Sequence, residues 1–278
     1  MQTIKLYNNI QMPCIIQATN WMGYNELKSL VREGLRIGIR AFDTARDYGN
    51  ERIVGRVINE CLDEVGLKRE DIFITTKIGN SQQIDGDIKN EIEISLDNLQ
   101  TNYVDLWLMH WPYPNYYVDT WNKMWDVYTT GKVKALGIAN CEIRHLEKLS
   151  LIRTGGVPHC VQIEHHPMRT IVDTLAYLRE KNIAVQSYSP LCRMINPIRT
   201  SKILQKIAND KRKSIGQVIL RWHYQLNTAS VFKTTNIQRL QENNNIWDFS
   251  LSLNEMNMIS SLNEDYKYHL ESASCPGY

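Results

Sequence analysis

Short apolar runs alternate with amphipathic segments along most of the chain. After a predicted hairpin over residues 4–6 and 11–13, the segment 25–38 places Leu and Val residues at helical spacing. A buried strand that ends at Asp43 follows, and residues 52–65 again show helical spacing. This strand–helix unit recurs about every 30 residues, which predicts eight units. The predicted strands are 14–16, the run ending at Asp43, 71–77, 104–110, 133–140, 160–164, 184–188 and 230–233.

The predicted helices connect these strands without any linker rich in Gly, Ser or Pro. Ser214, with Gln217 three residues later, predicts a capping box. Residues 192–200 are predicted to form a short loop. The helices cover 25–38, 52–65, 87–99, 120–130, 143–153, 171–181, 201–208, 214–224, a segment near Arg239, and 254–262.

Alternating strands and helices form either a doubly wound sheet or a closed (β/α)₈ barrel. A sheet of about six strands leaves two units without a place, and no Gly-x-Gly-x-x-Gly follows the first strand. Eight units favour the barrel. We therefore predict a single (β/α)₈ TIM barrel domain over residues 1–278, with a short N-terminal β-hairpin.

Composition narrows the possible classes of function. Hydrophobic residues make up 43% of the 278 residues, which is enough for a large core. A formal net charge of only +2 argues against a nucleic-acid partner. No apolar run approaches the roughly 18 residues of a membrane span, and the N-terminus lacks a signal-peptide pattern. The six scattered cysteines, without a Cys-x-x-Cys pair, indicate reduced thiols in a cytoplasmic enzyme.

Polar residues stand at the ends of the predicted strands. In a (β/α)₈ barrel the active site lies at the carboxyl ends of the strands. Taken singly, Lys77 is compatible with a solvated strand-end lysine and His110 with a satisfied buried histidine. Because polar residues recur at the ends of successive strands, we instead expect them to share one site. The set is Asp43, Lys77, His110, Asn140, Gln162, Tyr188 and Lys233.

Tyr48 lies five residues beyond Asp43, in the loop after the strand. Its phenol, with an ordinary pKa of about 10, is a poor proton donor at neutral pH. A lysine within roughly 4–6 Å stabilises the phenolate and lowers that pKa, and a carboxylate keeps the lysine charged. Asp43, Lys77 and Tyr48 supply these groups, while His110 is placed to orient a substrate oxygen. The set lacks a good activated nucleophile, so it predicts protonation of an oxygen while another group delivers an electron pair.

The segment 159–166 contains residue types that bind metals. Alternate side chains of a strand point to opposite faces. Two histidines, His159 and His165, therefore point one way, and the other face holds Cys160, Gln162, Glu164 and His166. No second ligand pair has matching spacing, and we predict no metal site.

Seven motifs together resemble the aldo-keto reductase family, in order and at the family's spacing over nearly the whole chain. They read DTARDYGNE from Asp43, ITTK from Ile74, LMHWP from Leu108, GIAN from Gly137, QIEHHP from Gln162, YSPL from Tyr188, and KT from Lys233 with Arg239, Glu242 and Asn243 beyond it.

The resemblance implies a barrel without a Rossmann domain that binds NADP(H) across its rim, with the hydride supplied by the cofactor. By this resemblance Tyr48 is the general acid, Lys77 and Asp43 tune it, and His110 positions the carbonyl. Tyr188 would stack on the nicotinamide. The other implied cofactor-binding residues are Asn140, Gln162, Ser189, Leu191, Lys233, Thr234, Arg239, Glu242 and Asn243.

Substrate contacts are expected from aromatic residues on segments that reach the barrel mouth, namely Trp21, Trp111 and Tyr113, an arrangement suited to apolar or ring-shaped carbonyl compounds. The chain also departs from the family's usual residues. Ala139 stands where Ser is usual and Val161 where Asn is usual, and each change removes a polar contact near the nicotinamide. Residues 14–20 lack the usual Gly-rich turn, Phe232 replaces Pro, and Cys192 replaces Gly.

The leading interpretation is an NADPH-dependent reductase of a small-molecule aldehyde or ketone, acting as a monomer or weak homo-oligomer. The alternative is a non-catalytic NADP(H)-binding regulatory or structural protein on the same fold, since fold does not settle function. A binding module has no need of an acid, a lysine, a carboxylate and a histidine at one site. The presence of Asp43, Tyr48, Lys77 and His110 therefore favours catalysis.

Overall fold

Eight parallel strands close into a barrel in the computed structural model, which describes residues 2–152, 156–276 and 278. Strands that follow one another in the chain are neighbours in the barrel, and the last strand closes on the first. The predicted (β/α)₈ barrel is confirmed. Its strands are β3 (Ile15–Ala18), β4 (Ala41–Asp43), β5 (Phe73–Ile78), β6 (Leu106–Met109), β7 (Leu136–Ala139), β8 (Cys160–Glu164), β9 (Ala184–Tyr188) and β10 (Ala229–Phe232).

A separate antiparallel hairpin precedes the barrel, as predicted. Its strands are β1 (Thr3–Lys5) and β2 (Gln11–Pro13), with Thr3 opposite Pro13. Ile4 and Met12 of the hairpin are buried in one apolar cluster with the first residues of several barrel strands. The hairpin therefore covers the amino end of the barrel and leaves the carboxyl end open to the loops.

Helices surround the barrel and bury one apolar face each. In the first helix, over residues 24–36, for example, Leu27, Leu30 and Val31 are buried at the three- and four-residue spacing of one helix face. The long helices are α1 (Tyr24–Arg36), α2 (Glu51–Val65), α4 (Ile88–Leu99), α5 (Tyr117–Tyr128), α6 (Ile143–Ile152), α7 (Val172–Glu180), α9 (Lys202–Lys211), α10 (Ile215–Gln225), α11 (Ile237–Asn244) and α12 (Leu253–Ser260).

The capping box predicted at the start of α10 is present. Gln217 N donates to Ser214 Oγ at 3.2 Å, and Ser214 N donates to Gln217 Oε1 at 2.9 Å. Three short helices were not predicted: α3 (Asn80–Asp85), α8 (Asn196–Thr200) and α13 (Glu271–Ser274).

Some predicted boundaries differ from the structure. The predicted loop 192–200 instead holds a 3₁₀ turn over Cys192–Met194 and helix α8. The strand predicted over 104–110 is shorter and spans Leu106–Met109, with Val104 forming only an isolated bridge to Val133. The Asp105 backbone N–H donates to the Ile74 oxygen, and its carboxylate accepts hydrogen bonds from Ile74 N and Arg69. The predicted end of α6 at residue 153 lies outside the described residues. Within the part of the chain that the structure describes, no helix is long and apolar enough to cross a membrane.

Alternation along β5 carries a charged side chain into the barrel. Phe73 packs inward, whereas Ile74 and Ile78 belong to the cluster between the strands and the helices. Thr76 also faces outward, and its hydroxyl donates to Glu51 Oε1 at 2.6 Å. Lys77 therefore points into the barrel near the carboxyl ends of the strands.

Candidate active site

A buried lysine–aspartate pair occupies the carboxyl end of the barrel. Asp43 ends β4, and Lys77 lies one position before the end of β5. Lys77 Nζ lies 2.6 Å from Asp43 Oδ1, 3.0 Å from the Thr44 carbonyl oxygen and 3.3 Å from the Tyr48 hydroxyl. An ammonium has three hydrogens to donate, so these contacts use all of them. Neither charged side chain is more than 2% exposed, and the pair is shielded from water.

Tyr48 reaches this pair from a short 3₁₀ turn over Arg46–Tyr48. The turn ends at Gly49, whose φ of 66° lies in the left-handed region that glycine tolerates best. The Tyr48 ring is half-buried between two other rings. Trp21 lies 6.1 Å away and His110 5.7 Å away, with the histidine ring nearly perpendicular at 84°.

Burial and charge act in opposite directions on these groups. Burial is the largest influence on Tyr48 and raises its pKa, while Lys77 opposes it and Asp43 adds to it. Lys77 thus acts in the predicted direction but does not outweigh burial, so Tyr48 keeps its proton at neutral pH. Burial lowers the pKa of Lys77, yet the charge of Asp43 and the contact with Tyr48 outweigh it and leave that pKa raised. The lysine therefore stays charged.

His110 immediately follows β6 and contacts a residue that the sequence did not single out. Its Nδ1 lies 3.0 Å from Asp47 Oδ2. Burial lowers the pKa of His110, and the hydrogen bond to Asp47 opposes this without reversing it. His110 is therefore neutral at pH 7. The backbone oxygen of His110 accepts a hydrogen bond from Asn140 Nδ2 at 3.0 Å.

Gln162 lies inside the barrel, below the rim. Its Nε2 donates to Asp43 Oδ2 at 2.8 Å and to Gln186 Oε1 at 2.7 Å. Both amide hydrogens are used, so only the amide oxygen of Gln162 is left for a nicotinamide group. Gln186 was not predicted as a site residue. It sits mid-strand in β9, two residues before Tyr188, where sequence reasoning assigned only a buried strand position.

Asn140 and Tyr188 hold each other in place at the rim. Tyr188 Oη donates to Asn140 Oδ1 at 2.7 Å. Asn140 adopts a left-handed φ of 57°, which asparagine tolerates better than most residues. Tyr278 was also missed: its hydroxyl donates to the Asn140 backbone oxygen at 2.5 Å, and its ring packs 5.8 Å from Trp111. Neither periodicity nor a motif marks Tyr278 as a neighbour of the site, because it lies far from the strand-end residues along the sequence.

The predicted phosphate-binding residues lie on the turn after β10 and on α11. Lys233 and Arg239 are exposed, and Thr234 is buried beside them. Lys233 Nζ donates to the Asn20 backbone oxygen at 2.7 Å. Among the described residues, none forms a hydrogen bond or ion pair with the Arg239 guanidinium. Glu242 and Asn243 follow on the same helix, one turn further on.

Ser189 and Leu191 begin an unusual turn after β9. Ser189 has a φ of 47°, and its hydroxyl lies 3.3 Å from His269 Nε2. The turn continues through Cys192, whose φ of 45° falls in the left-handed region. A residue with a side chain is strained there, which accounts for the glycine usual at this position in the family.

The predicted substrate residues lie around the mouth but differ in exposure. Trp21 is 68% exposed, whereas Trp111 is only 6% exposed and packs against Tyr278. Tyr113 stacks on Tyr116 at 5.9 Å. The structure brings Trp21 and Trp111 to the site and places Tyr113 against a neighbouring loop tyrosine.

The donor set at the rim fits a phosphorylated nicotinamide dinucleotide. Two cations and a hydroxyl surround the N-terminus of α11, where helix N–H groups favour an anion. The unpaired guanidinium of Arg239 is free to bind a phosphate in a bidentate manner. At the other end, Asn140 contacts Tyr188 and the His110 backbone oxygen, and Gln162 contacts Asp43.

The metal-ligand residue types of segment 159–166 are dispersed. His159 stacks on Tyr7 at 4.3 Å, His165 contacts Ser187 Oγ, and His166 Nε2 lies 3.0 Å from Glu164 Oε1. Within residues 2–152, 156–276 and 278, no group of three or more His, Cys, Asp or Glu side chains could hold a metal ion.

Relatives of known name cover almost the whole chain. Residues 17–264 match the family model described as "Aldo/keto reductase family". The chain is 35% identical over 272 residues to glyoxal reductase of Bacillus subtilis, covering 95% of this chain and 93% of that protein. It is 33% identical over 267 residues to methylglyoxal reductase DkgA of Escherichia coli K12, covering 94% and 93% respectively.

Solved structures give the same result. The aldose reductase of Schistosoma japonicum superposes with a TM-score of 0.92 at 28% identity, covering 99% of this chain and 96% of that one. A Bombyx mori aldo-keto reductase in complex with NADP superposes with a TM-score of 0.90 at 27% identity, covering 98% and 95%. Fold, motif order and relatives agree, and the chain belongs to the aldo/keto reductase family of NADP(H)-dependent oxidoreductases.

Proposed function

We propose that the protein reduces a small aldehyde or ketone to an alcohol with NADPH, and that Tyr48 donates the proton. The observation that carries this proposal is the position of the Tyr48 hydroxyl, 3.3 Å from a fully buried lysine that is itself paired to Asp43 at 2.6 Å. A buried ion pair of this kind seldom stabilises the fold, because the cost of desolvating two charges commonly offsets their attraction.

Each residue around Tyr48 has a separate role in the proposed proton transfer. The bound NADPH supplies the hydride. As negative charge develops on the carbonyl oxygen, Tyr48 transfers its phenolic proton there, and Lys77 stabilises the phenolate that remains. Asp43 keeps Lys77 charged and oriented. His110 directs its imidazole at the same oxygen and orients the carbonyl.

The remaining rim residues would hold the cofactor. Tyr188 would stack on the nicotinamide, and Asn140 and Gln162 would contact its carboxamide. Because both hydrogens of the Gln162 amide are used inside the barrel, this residue would accept rather than donate. Lys233, Thr234 and Arg239 would bind the 2′-phosphate, with Glu242 and Asn243 at the adenine and Ser189 and Leu191 along the dinucleotide.

We infer that the substrates are small dicarbonyl compounds of the glyoxal and methylglyoxal type. Relatives bearing these names match the chain over 93% of their own length. Tyr278 packs on Trp111 and donates to the Asn140 backbone oxygen, so it lies beside a predicted substrate residue.

The test is NADPH oxidation against glyoxal, methylglyoxal, simple aldehydes, ketosteroids, quinones and keto-sugars, with identification of the alcohol product. We expect the highest kcat/KM for a small dicarbonyl compound. Tight NADPH binding without turnover of any compound would instead support the alternative, a non-catalytic NADP(H)-binding protein.

We further propose a cytoplasmic monomer or weak homo-oligomer. All six cysteines are free and buried, which suits a reducing compartment. Sedimentation of the purified protein over a range of concentrations tests the oligomeric state.

A further inference from the structure

Asp47 plays no part in the proton relay, yet its carboxylate faces the same site. It lies between Arg46 and Tyr48 in the 3₁₀ turn, and its Oδ2 is 3.0 Å from His110 Nδ1. The Asp47 side chain is 36% exposed and the His110 side chain 15% exposed. A partly open carboxylate thus lies directly behind the ring that is placed to orient the substrate.

The backbone opposite Asp47 has room for that carboxylate only because it is glycine. A Cβ on Gly79 would lie 1.9 Å from Asp47 Oδ1 and 2.4 Å from the carboxyl carbon. Gly79 has a φ of −85°, which any residue adopts, so glycine is needed here for space and not for conformation. The carboxylate occupies a slot between Gly79 and the imidazole.

This contact decides which nitrogen of His110 carries hydrogen. An ionised carboxylate only accepts hydrogen bonds, so Nδ1 must donate to it. The other nitrogen of a neutral imidazole, Nε2, then has a lone pair and no hydrogen. Among the described residues, none hydrogen-bonds to Nε2. A lone pair there repels a carbonyl oxygen, whereas the imidazolium presents an N–H from both nitrogens.

Four groups act on the His110 ring. Asp43 lies on β4, Asp47 and Tyr48 lie on the turn after it, and Lys77 lies on β5. Burial lowers the pKa of His110, and Lys77 acts in the same direction. Asp47 and Asp43 oppose them, Asp47 through both its hydrogen bond and its charge. Tyr48 presents its ring to the histidine at 84° and carries its proton at neutral pH. The neutral imidazole therefore predominates at pH 7.

We propose that Asp47 is a positioning residue that holds His110 as the Nδ1–H tautomer, so that only protonated His110 can donate a hydrogen bond to the carbonyl. This inference rests on the proposed function of the site. The proton that reaches the substrate still comes from Tyr48, and His110 keeps its own. Reduction should therefore become more efficient as the pH falls towards the pKa of His110, which lies below its ordinary value.

A neutral amide at position 47 should reverse the tautomer. In Asp47→Asn the amide nitrogen can donate to Nδ1, which places the hydrogen of the neutral ring on Nε2. Ring ¹⁵N NMR of the protein with and without NADP⁺ measures this directly, and loss of the signal in His110→Gln assigns it. We expect a bare Nε2 in the parent protein and a protonated Nε2 in Asp47→Asn at pH 7.5. A protonated Nε2 in the parent overturns the proposal, whether or not the protein reduces carbonyl compounds.

Kinetics supply the second readout. Because the pKa of His110 lies below its ordinary value of about 6.5, we expect kcat/KM to fall by at least about twentyfold from pH 6 to pH 8 in the parent protein, and by less than about threefold in Asp47→Asn. Gly79→Ala should displace the Asp47 carboxylate and flatten the profile as well, because the neutral ring can then carry its hydrogen on Nε2. NADPH binding by fluorescence checks that each variant is folded. If both variants keep the parent profile, Asp47 does not control His110.

Discussion

Replacing Lys77 by methionine separates the structural and chemical roles of the buried ion pair. Methionine keeps most of the side-chain volume and removes the ammonium. Asp43 is then left 2% exposed without a cation, although Gln162 Nε2 still donates to it at 2.8 Å. Tyr48 also loses the donor that lies 3.3 Å from its hydroxyl.

The expected magnitudes follow from these contacts. Removing one partner of a buried ion pair costs about 3–5 kcal/mol of unfolding free energy, and the remaining Gln162 hydrogen bond places this case near about 3 kcal/mol. A charge-assisted hydrogen bond contributes about 1.5–3 kcal/mol. If the phenolate loses that stabilisation in the transition state, the rate of carbonyl reduction falls by about 10–150-fold.

Urea denaturation and pH-dependent kinetics measure the two effects in Lys77→Met. Because Lys77 lowers the pKa of Tyr48 against the effect of burial, its loss should move the alkaline limb of kcat/KM to higher pH. Asp43→Asn combined with Lys77→Met removes both charges and should recover part of the stability but none of the activity. An unchanged pH profile with weaker NADPH binding would show that Lys77 contacts the cofactor instead of tuning Tyr48.

Three further predictions concern other parts of the chain. Arg239→Ala should weaken NADPH binding by at least about tenfold and leave NADH binding unchanged, because only NADPH carries the 2′-phosphate. An equal loss of affinity for both cofactors in a fluorescence titration contradicts this role of Arg239. Gln186→Leu should lower kcat about fivefold with NADPH affinity nearly constant, because the Gln162 amide loses the hydrogen bond that holds it in one orientation. Single-turnover kinetics that match the parent would refute this. Burial lowers the pKa of His159 to about 4. Since the pKa of His159 in the unfolded state is higher, about 6.5, the free energy of unfolding decreases as the pH falls below 6.5, by about 2 kcal/mol at pH 5. Urea denaturation of His159→Phe should no longer show this decrease.

The fold and the strand-end residues were predictable because both follow from local patterns. Parallel strands buried on both faces read as short apolar runs, and barrel topology brings their carboxyl ends to one rim. Lys77 and His110 could be placed at that rim from their positions at strand ends alone. The family resemblance and the use of NADP(H) are confirmed by the relatives.

The missing parts of the site depend on packing between distant segments. Asp47 and His110 are 63 positions apart, and their contact requires the space left by Gly79. Gln186 meets Gln162 inside the barrel, where strand alternation alone does not distinguish a polar partner from an apolar one. Tyr278 reaches Asn140 across 138 positions. Periodicity reports which face of an element is buried, and it does not report which side chains meet there.

Tyr48→Phe tests the central claim most directly. The substitution keeps the ring beside Trp21 and His110 and removes only the hydroxyl that contacts Lys77. Single-turnover reduction of methylglyoxal by the NADPH-loaded protein should slow by about 10²–10⁴-fold, while the dissociation constant of NADPH stays within about twofold. A variant that retains more than about half the parent rate, with chemistry limiting the turnover, would show that Tyr48 is not the proton donor.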